Sequence, residues 1–383
     1  MIPLAIPALA AAAYYLLALA AGLGARNGRG AARQEARLAV SILKPLRGRD
    51  PHLFEALRSH AEQDYPEFEI LFGVSDPADP AIEDIERLRA AYPAVPISLH
   101  VASTKALNAK AGVLADLAKR ARHPLLLVND SDIRVPRGYL RDVTAPLNDP
   151  KVGLVTCLYR ASAESWPSRM EALGIATEFA PSVLVARLLG VAEFALGSTM
   201  ALRASTLAEI GGFEAIADYL ADDYQLGRHV SERGYRIHFA APVVETALGA
   251  GTWTQVWRHQ VRWSRTIRVS RPSGYYGYAI THATFWAIVA CAAGYWRVGA
   301  ITLALRILAG VATGCGVLRD RNALRLFPLI PLRDLFGCAV WIAGLFGTTV
   351  VWRGQNLHLS RDGVIRSMWD GITLPGSSDS AHK

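Results

Sequence analysis

Residues 125 to 135 read Leu-Leu-Leu-Val-Asn-Asp-Ser-Asp-Ile-Arg-Val, and no other stretch narrows the possible folds as far. Four apolar residues form a short run that stops at acids. An unalternating apolar run suits a parallel strand covered on both faces. Open α/β sheets bind ligands beyond the carboxyl ends of their strands. Asp130 and Asp132 are therefore expected at that sheet edge, one residue apart and facing the same way. Two carboxylates so placed would hold a hard divalent cation, and the cation would neutralise a diphosphate. The plainer reading is a strand followed by a solvated Asp-Ser-Asp turn.

A second feature is apolar length. Residues 2 to 23 carry no charge, and about 20 such residues span a bilayer. The stretch lacks the basic start of a signal peptide, so it reads as an uncleaved anchor. Arg26, Arg29, Arg33 and Arg37 follow it. By the positive-inside rule they put the next domain in the cytoplasm. Further spans are expected at about 279–296, 298–317 and 333–352. Arg306 lies inside the second, where a charge is costly, so a shallow or tilted path is expected there. Four spans would return the chain to the side on which it began. Arg353, Arg361 and Arg366 instead favour a cytoplasmic tail. If tail and main domain share a side, one segment must be re-entrant or interfacial. The end of the tail, residues 375–383, is polar and reads as disordered.

Composition agrees with a soluble domain joined to membrane helices: 51% of residues are hydrophobic and 19% charged. The net charge of +8 needs no nucleic acid, since no nucleic-acid motif is present and anionic lipid or substrate explains it. Cys157, Cys291, Cys315 and Cys338 show neither disulfide nor metal spacing, which suits a reducing compartment.

Between the apolar ends, strands alternate with helices. Strands are expected at 38–43, 68–74, 97–101, 125–128, 152–158, 197–202 and 236–239, the last extended by 243–245. Helices are expected at 51–63, 80–92, 108–117, 139–147, 207–210, 219–227 and 253–268. Such alternation predicts a mostly parallel sheet with right-handed crossovers. The missing GxGxxG disfavours a dinucleotide fold. Residues 166–196 suit amphipathic helices that lie in a membrane interface or line an acceptor cleft, or else an ordinary core helix. Asp222 and Asp223 open a helix, where they either complement its dipole or supply a general base. The Trp- and Arg-rich helix 253–268 can lie along a membrane surface or offer cations to a leaving diphosphate.

These residues come in a recognisable order. Lys44-Pro45-Leu46 closes the first strand and Asp76 the second. Gln63-Asp64-Tyr65-Pro66 and Asp79-Pro80-Ala81 flank the second strand. Asn108 and Lys110 precede Asp130-Ser131-Asp132, then come Asp222-Asp223-Tyr224 and Arg262-Trp263. The order resembles the ceramide glucosyltransferase family over residues 38 to 275. It is most similar to the bacterial hopanoid-biosynthesis-associated branch, through Gly153 to Arg160, Pro181 to Ala186, Leu220 to Tyr224, Trp257-Arg258-His259 and Thr266-Ile267-Arg268. It departs in having His259 where the family has Gln or Arg, and Ala106-Leu107 where a Gly is more common.

The resemblance implies an α/β GT-A type nucleotide-sugar-binding domain with N- and C-terminal transmembrane helices. The division is 1–25 anchor, 38–275 cytoplasmic catalytic domain, 279–352 membrane segments and 353–383 tail, in a bacterial inner membrane. It implies an inverting transfer from a UDP-sugar to a lipid, most closely N-acetylglucosamine to bacteriohopanetetrol. Ceramide glucosylation is the nearest alternative, a processive polysaccharide synthase the next, and an inactive scaffold the last. Asp223 would be the base, with Asp222 beside it. Arg262 and His259 would meet the diphosphate, and Trp263 the acceptor. Asp76, Lys110 and Asp130 would bind the donor, with Lys44 and Asn108 beside them. Asp130 and Asp132 would hold Mg²⁺ or Mn²⁺.

Overall fold

The computed structural model describes residues 4–27, 38–104, 106–352, 355–360 and 362–366. The arginines expected to orient the anchor therefore lie outside the described residues, apart from the backbone of Arg26, as does the expected disordered end. Among the described residues eleven strands are formed: β1 Val40–Pro45, β2 Phe68–Val74, β3 Ile97–Val101, β4 Leu125–Val128, β5 Ile133–Arg134, β6 Val152–Ser162, β7 Met200–Arg203, β8 Arg236–Ala247, β9 Thr349–Trp352, β10 Gln355–Leu359 and β11 Ile365–Arg366.

The first eight strands make one sheet in the order β3-β2-β1-β4-β7-β6-β8-β5. Its first four strands are all parallel. β4–β7, β7–β6 and β8–β5 are antiparallel, and β6–β8 is parallel. Residues alternate along the central strands between two cores. Val40, Ile42, Leu125 and Leu127 enter one, while Leu43, Leu126 and Val128 enter the other. This is why the run at 125–128 shows no polar alternation. Connections from β1 run outward to β2 and β3, then return to β4 on its other side. The chain direction thus reverses between β1 and β4, where open α/β sheets place their ligands.

Residues 166–188 are one continuous helical run, Trp166–Gly174 and Ala180–Leu188 joined by a π-helical turn, Ile175–Phe179. Much of it is packed inside the protein. Ala172, Leu173, Ile175, Ala176, Ala180, Val183 and Leu184 are all buried. Its acids point into protein: Glu171 meets His259, and Glu178 pairs with Arg333 at 3.1 Å. The π turn presents the Thr177 carbonyl to Arg306 Nη1 at 2.9 Å. Arg306 also pairs with Asp334 at 3.0 Å, and both are fully buried. Inside the protein a carboxylate and a main-chain carbonyl therefore meet the charge of this arginine.

Among the described residues three helical segments are long and apolar enough to cross a membrane, Ile6–Ala25, Trp296–Val317 and Phe327–Gly344. The expected span at 279–296 becomes a helix of 10 residues, Ala283–Ala292. At 1.5 Å per residue, that is about half a bilayer core. The expected span at 333–352 is displaced toward the N-terminus, and its end is strand β9. The first and second long helices run parallel, since Thr302 Oγ1 donates to Ala8 O at 3.0 Å while Gly22 faces Thr313 and Val317. The tail returns to the α/β domain: Ile365 N donates to Asp218 O at 2.7 Å. Leu220 is buried with Val350, Leu359 and Ile365. The tail therefore packs on the α/β domain.

Candidate active site

The acids assemble at the carboxyl ends of β1 and β4. Lys110 Nζ lies 2.8 Å from Asp130 Oδ1 and 2.8 Å from Asp222 Oδ2. It stands in the first turn of the helix Ala109–Arg120, which Asn108 caps by accepting from Ala111 N. Asn108 also donates to Tyr219 O at 2.8 Å and is fully buried. Its amide therefore positions Lys110 and the loop before Asp222, and the donor-binding place expected for it is corrected to this supporting one. Burial opposes the charge of Lys110, but Asp130, Asp222 and Asp223 together hold its pKa well above the ordinary lysine value.

Lys44 is likewise fully buried and donates to Asp130 O at 2.7 Å. Burial lowers its pKa to about 8 against the pull of Asp132, Asp130 and Asp50. It holds the acidic loop from beneath and offers no surface to a donor, which corrects its expected direct contact. Behind the same loop lies a buried polar cluster. Asn129 donates to Tyr139 Oη at 2.8 Å and to Ser198 O at 2.6 Å, and its carbonyl meets His60 Nε2 at 3.1 Å. A satisfied network of this kind fixes the path of the loop.

Asp222 and Asp223 open the helix Asp222–Glu232. Asp222 is buried and committed to Lys110. Asp223 is partly exposed; its carboxylate accepts from Gly197 N at 2.9 Å and from Tyr224 N at 2.7 Å. Burial and then the Asp222 charge push its pKa up to about 6, against Lys110. Gly197 joins the two halves of the site, since its carbonyl also accepts from Asp130 N at 3.2 Å. A Cβ there would lie 2.8 Å from Asp130 Oδ2 and 3.4 Å from Asp223 Oδ2. Only glycine lets both carboxylates close on this strand end.

Asp132 accepts from Thr246 Oγ1 on β8. Burial, and then Asp130, push its pKa up to about 6, with Asp50 adding to the rise. Ser131 Oγ in turn donates to Asp50. A buried carboxylate destabilised by neighbouring acids is where a cation would be welcome. Among the described residues no group of three His, Cys, Asp or Glu side chains stands at ligating distance. The two carboxylates fit Mg²⁺ or Mn²⁺, which use one or two acids and take other ligands from phosphates and water. Asp76 is exposed at the end of β2, and its carboxylate caps the following turn through Ala78 N at 2.8 Å.

The helix Trp253–Ser270 starts from a capping box between Thr252 and Gln255. His259 Nδ1 meets Glu171 Oε1 at 2.6 Å, and the His259 ring contacts Trp263 at 4.5 Å between centroids. Arg262 and Trp263 follow one turn after His259. Arg265 and Arg268 are used elsewhere, donating to the carbonyls of Leu345, Phe346, Gly347 and Thr349. Tyr159, on β6, lies within the field of the acids. Burial raises its pKa first, and then Asp223, Asp130, Glu171 and Asp132 do so. Gly197, Asp50, Thr246, Tyr159 and Glu171 were not singled out by sequence pattern as site residues. The only signal was a glycine opening the stretch 197–202.

A sequence model described as Glycosyl transferase family 21 matches residues 2–365. Ceramide glucosyltransferase 1 of Caenorhabditis elegans is 31% identical over 198 residues, which cover 51% of this chain and 42% of that protein. The ceramide glucosyltransferase of Candida albicans is 34% identical over 122 residues, 28% of this chain and 22% of that protein. The chain thus spans less than half the length of these curated relatives. Among solved structures, the mannosyltransferase PcManGT from Pyrobaculum calidifontis, in complex with GDP-Man and Mn²⁺, covers 89% of this chain and 97% of its own at a TM-score of 0.54 and 20% identity. At that identity the likeness is one of fold, the GT-A type α/β fold.

Proposed function

Because the chain belongs to glycosyl transferase family 21, we propose that it is a membrane enzyme moving a sugar, with inversion, from a UDP-sugar to a lipid hydroxyl. One observation carries this reading: a partly exposed carboxylate, Asp223, whose pKa stands at about 6, beside a lysine that ties Asp130 to Asp222.

Asp223 is the base. It takes the proton of the acceptor hydroxyl as that oxygen attacks the anomeric carbon from the face opposite the nucleotide. The bond from that carbon to the diphosphate oxygen breaks, and UDP departs. A carboxylate whose pKa lies near neutral pH suits this step better than Asp222, whose charge is spent on Lys110. One acid suffices because the leaving group is a good one. Asp76 reaches the nucleoside end of the donor. Arg262 and His259 meet the departing diphosphate, and Trp263 flanks the acceptor. Asp130 and Asp132 are the residues that would hold Mg²⁺ or Mn²⁺, which supplies Lewis-acid neutralisation of the diphosphate when bound.

The finer reading is N-acetylglucosamine from its UDP form to bacteriohopanetetrol, supported by the branch-like residues at 153–160, 181–186 and 220–224. The α/β domain, residues 38–275, would lie in the cytoplasm of a bacterium, held to the inner membrane by 1–25 and 279–352. The second reading, UDP-glucose to ceramide, is favoured by the names of the curated relatives. Mass spectrometry of lipid extracts decides between them, with and without the active protein in a host making both lipids. A hopanoid gaining an N-acetylhexosamine supports the first, and a ceramide gaining a hexose the second. No change in either pool refutes the lipid-transfer reading.

A further inference from the structure

Glu171 is an acid in an apolar place. Its side chain is 4% exposed, with buried Met170, Ala172 and Leu173 around it in sequence. Burying a carboxylate is costly unless it is paired and hydrogen-bonded, and helix packing alone would be served by an apolar residue. Glu171 Oε1 accepts from Gln260 Nε2 at 3.0 Å as well as meeting His259 Nδ1 at 2.6 Å. Gln260 in turn accepts from Arg333 Nη2 at 3.0 Å, and Arg333 pairs with Glu178 at 3.1 Å. The carboxylate is therefore fixed on one side by a buried chain of partners, and its other contact goes to a partly exposed histidine.

The direction of that contact follows from charge. Burial opposes the ionisation of Glu171, but the bonds from His259 and Gln260 and the charge of Arg333 prevail, so it stays below the usual glutamate range. An ionised carboxylate only accepts, so His259 Nδ1 donates. Nε2 is then the ring atom left to face outward. Among the described residues it has no protein partner. The His259 side chain is 30% exposed, and its ring is braced by Trp263 at 4.5 Å. Tyr159 feels the charges of Glu171 and of Asp223, Asp130 and Asp132 alike.

We propose that Glu171 is a positioning residue for the transfer, holding His259 by Nδ1 and fixing its orientation so that Nε2, carrying a proton, donates to the departing diphosphate. This rests on the transferase reading above. It also accounts for a histidine at position 259, because a side-chain amide would not need a buried carboxylate to choose its donor.

The test is a double-mutant cycle on the full chain in lipid nanodiscs, with turnover of the UDP-sugar as readout. Glu171→Gln keeps the shape and removes the charge. It is expected to lower kcat by about tenfold or more, the scale of one hydrogen bond to a charged group, with the donor KM within about twofold. His259→Ala should lose at least as much. Glu171→Gln on top of His259→Ala should then cost nothing further, because the carboxylate acts only through that ring. Glu171→Asp should recover part of the loss. Unfolding midpoints of all four variants beside the wild type check that the fold is kept. Equal losses from Glu171→Gln with and without His259 would overturn the proposal and leave Glu171 a structural partner of Gln260 and Arg333. Wild-type kcat in either single variant would overturn it as well. A wild-type protein that transfers no sugar fails at the earlier step, so the two failures are told apart.

Discussion

Replacing Gly197 by alanine should cripple turnover while sparing the fold. The new methyl would lie 2.8 Å from Asp130 Oδ2 and 3.4 Å from Asp223 Oδ2. The first contact is about 0.6 Å short of an ordinary carbon–oxygen approach. The peptide cannot retreat, because its N–H is given to Asp223 at 2.9 Å and its carbonyl accepts from Asp130 N at 3.2 Å. The shift must pass to the Asp130 carboxylate, which then pulls on Lys110 and through it on Asp222. Misplacing a reacting group by about 1 Å costs on the order of 10²-fold, so kcat should fall about 10- to 100-fold. Position 197 is not among the glycines with positive φ, so alanine adds no backbone strain and the unfolding midpoint should barely move. The assay is UDP release with the lipid acceptor in nanodiscs, beside a thermal melt. A kcat within about twofold of wild type would refute the idea that this glycine lets the two acids close.

Three further outcomes follow from the same geometry. Asp223 must be ionised to accept a proton and titrates near pH 6, so kcat should rise about tenfold per pH unit below that value and level off above it; a profile flat down to pH 5 would contradict its role. Arg306→Met strands the buried Asp334 carboxylate and should cost about 3–5 kcal/mol, most of it recovered by adding Asp334→Leu; denaturation in detergent measures both. Ile365→Pro removes the N–H given to Asp218 O at 2.7 Å, so hydrogen exchange across residues 217–224 should quicken and kcat should drop, whereas unchanged exchange would show that the tail does not steady the loop before Asp222.

Much of the α/β domain was legible because the physics that builds it is local. The strands at 68–74 and 97–101 were bounded by turn residues and came out at those limits. The two acidic pairs were visible because each ends an apolar run or opens a helix. The sequence said less where a residue's meaning depends on a distant partner. Arg306 looked misplaced until Asp334 and the Thr177 carbonyl were beside it. Glu171 and Glu178 looked like a polar face, yet they belong to buried pairs made with helices far along the chain. Lys44 and Asn108 had the right positions for donor contact, but their burial turns them into supports for Asp130 and Lys110. The membrane segments were misjudged in length because apolar composition does not distinguish a span from strand β9 or from the short helix 283–292.

The most direct test of the account is a comparison of the wild type with Asp223→Asn in one purified preparation, measuring UDP-sugar binding and glycolipid formation side by side. The account predicts near-equal donor affinity and loss of transfer in the variant, since the amide keeps the site's shape and cannot take the acceptor proton. Transfer by Asp223→Asn at the wild-type rate would contradict it.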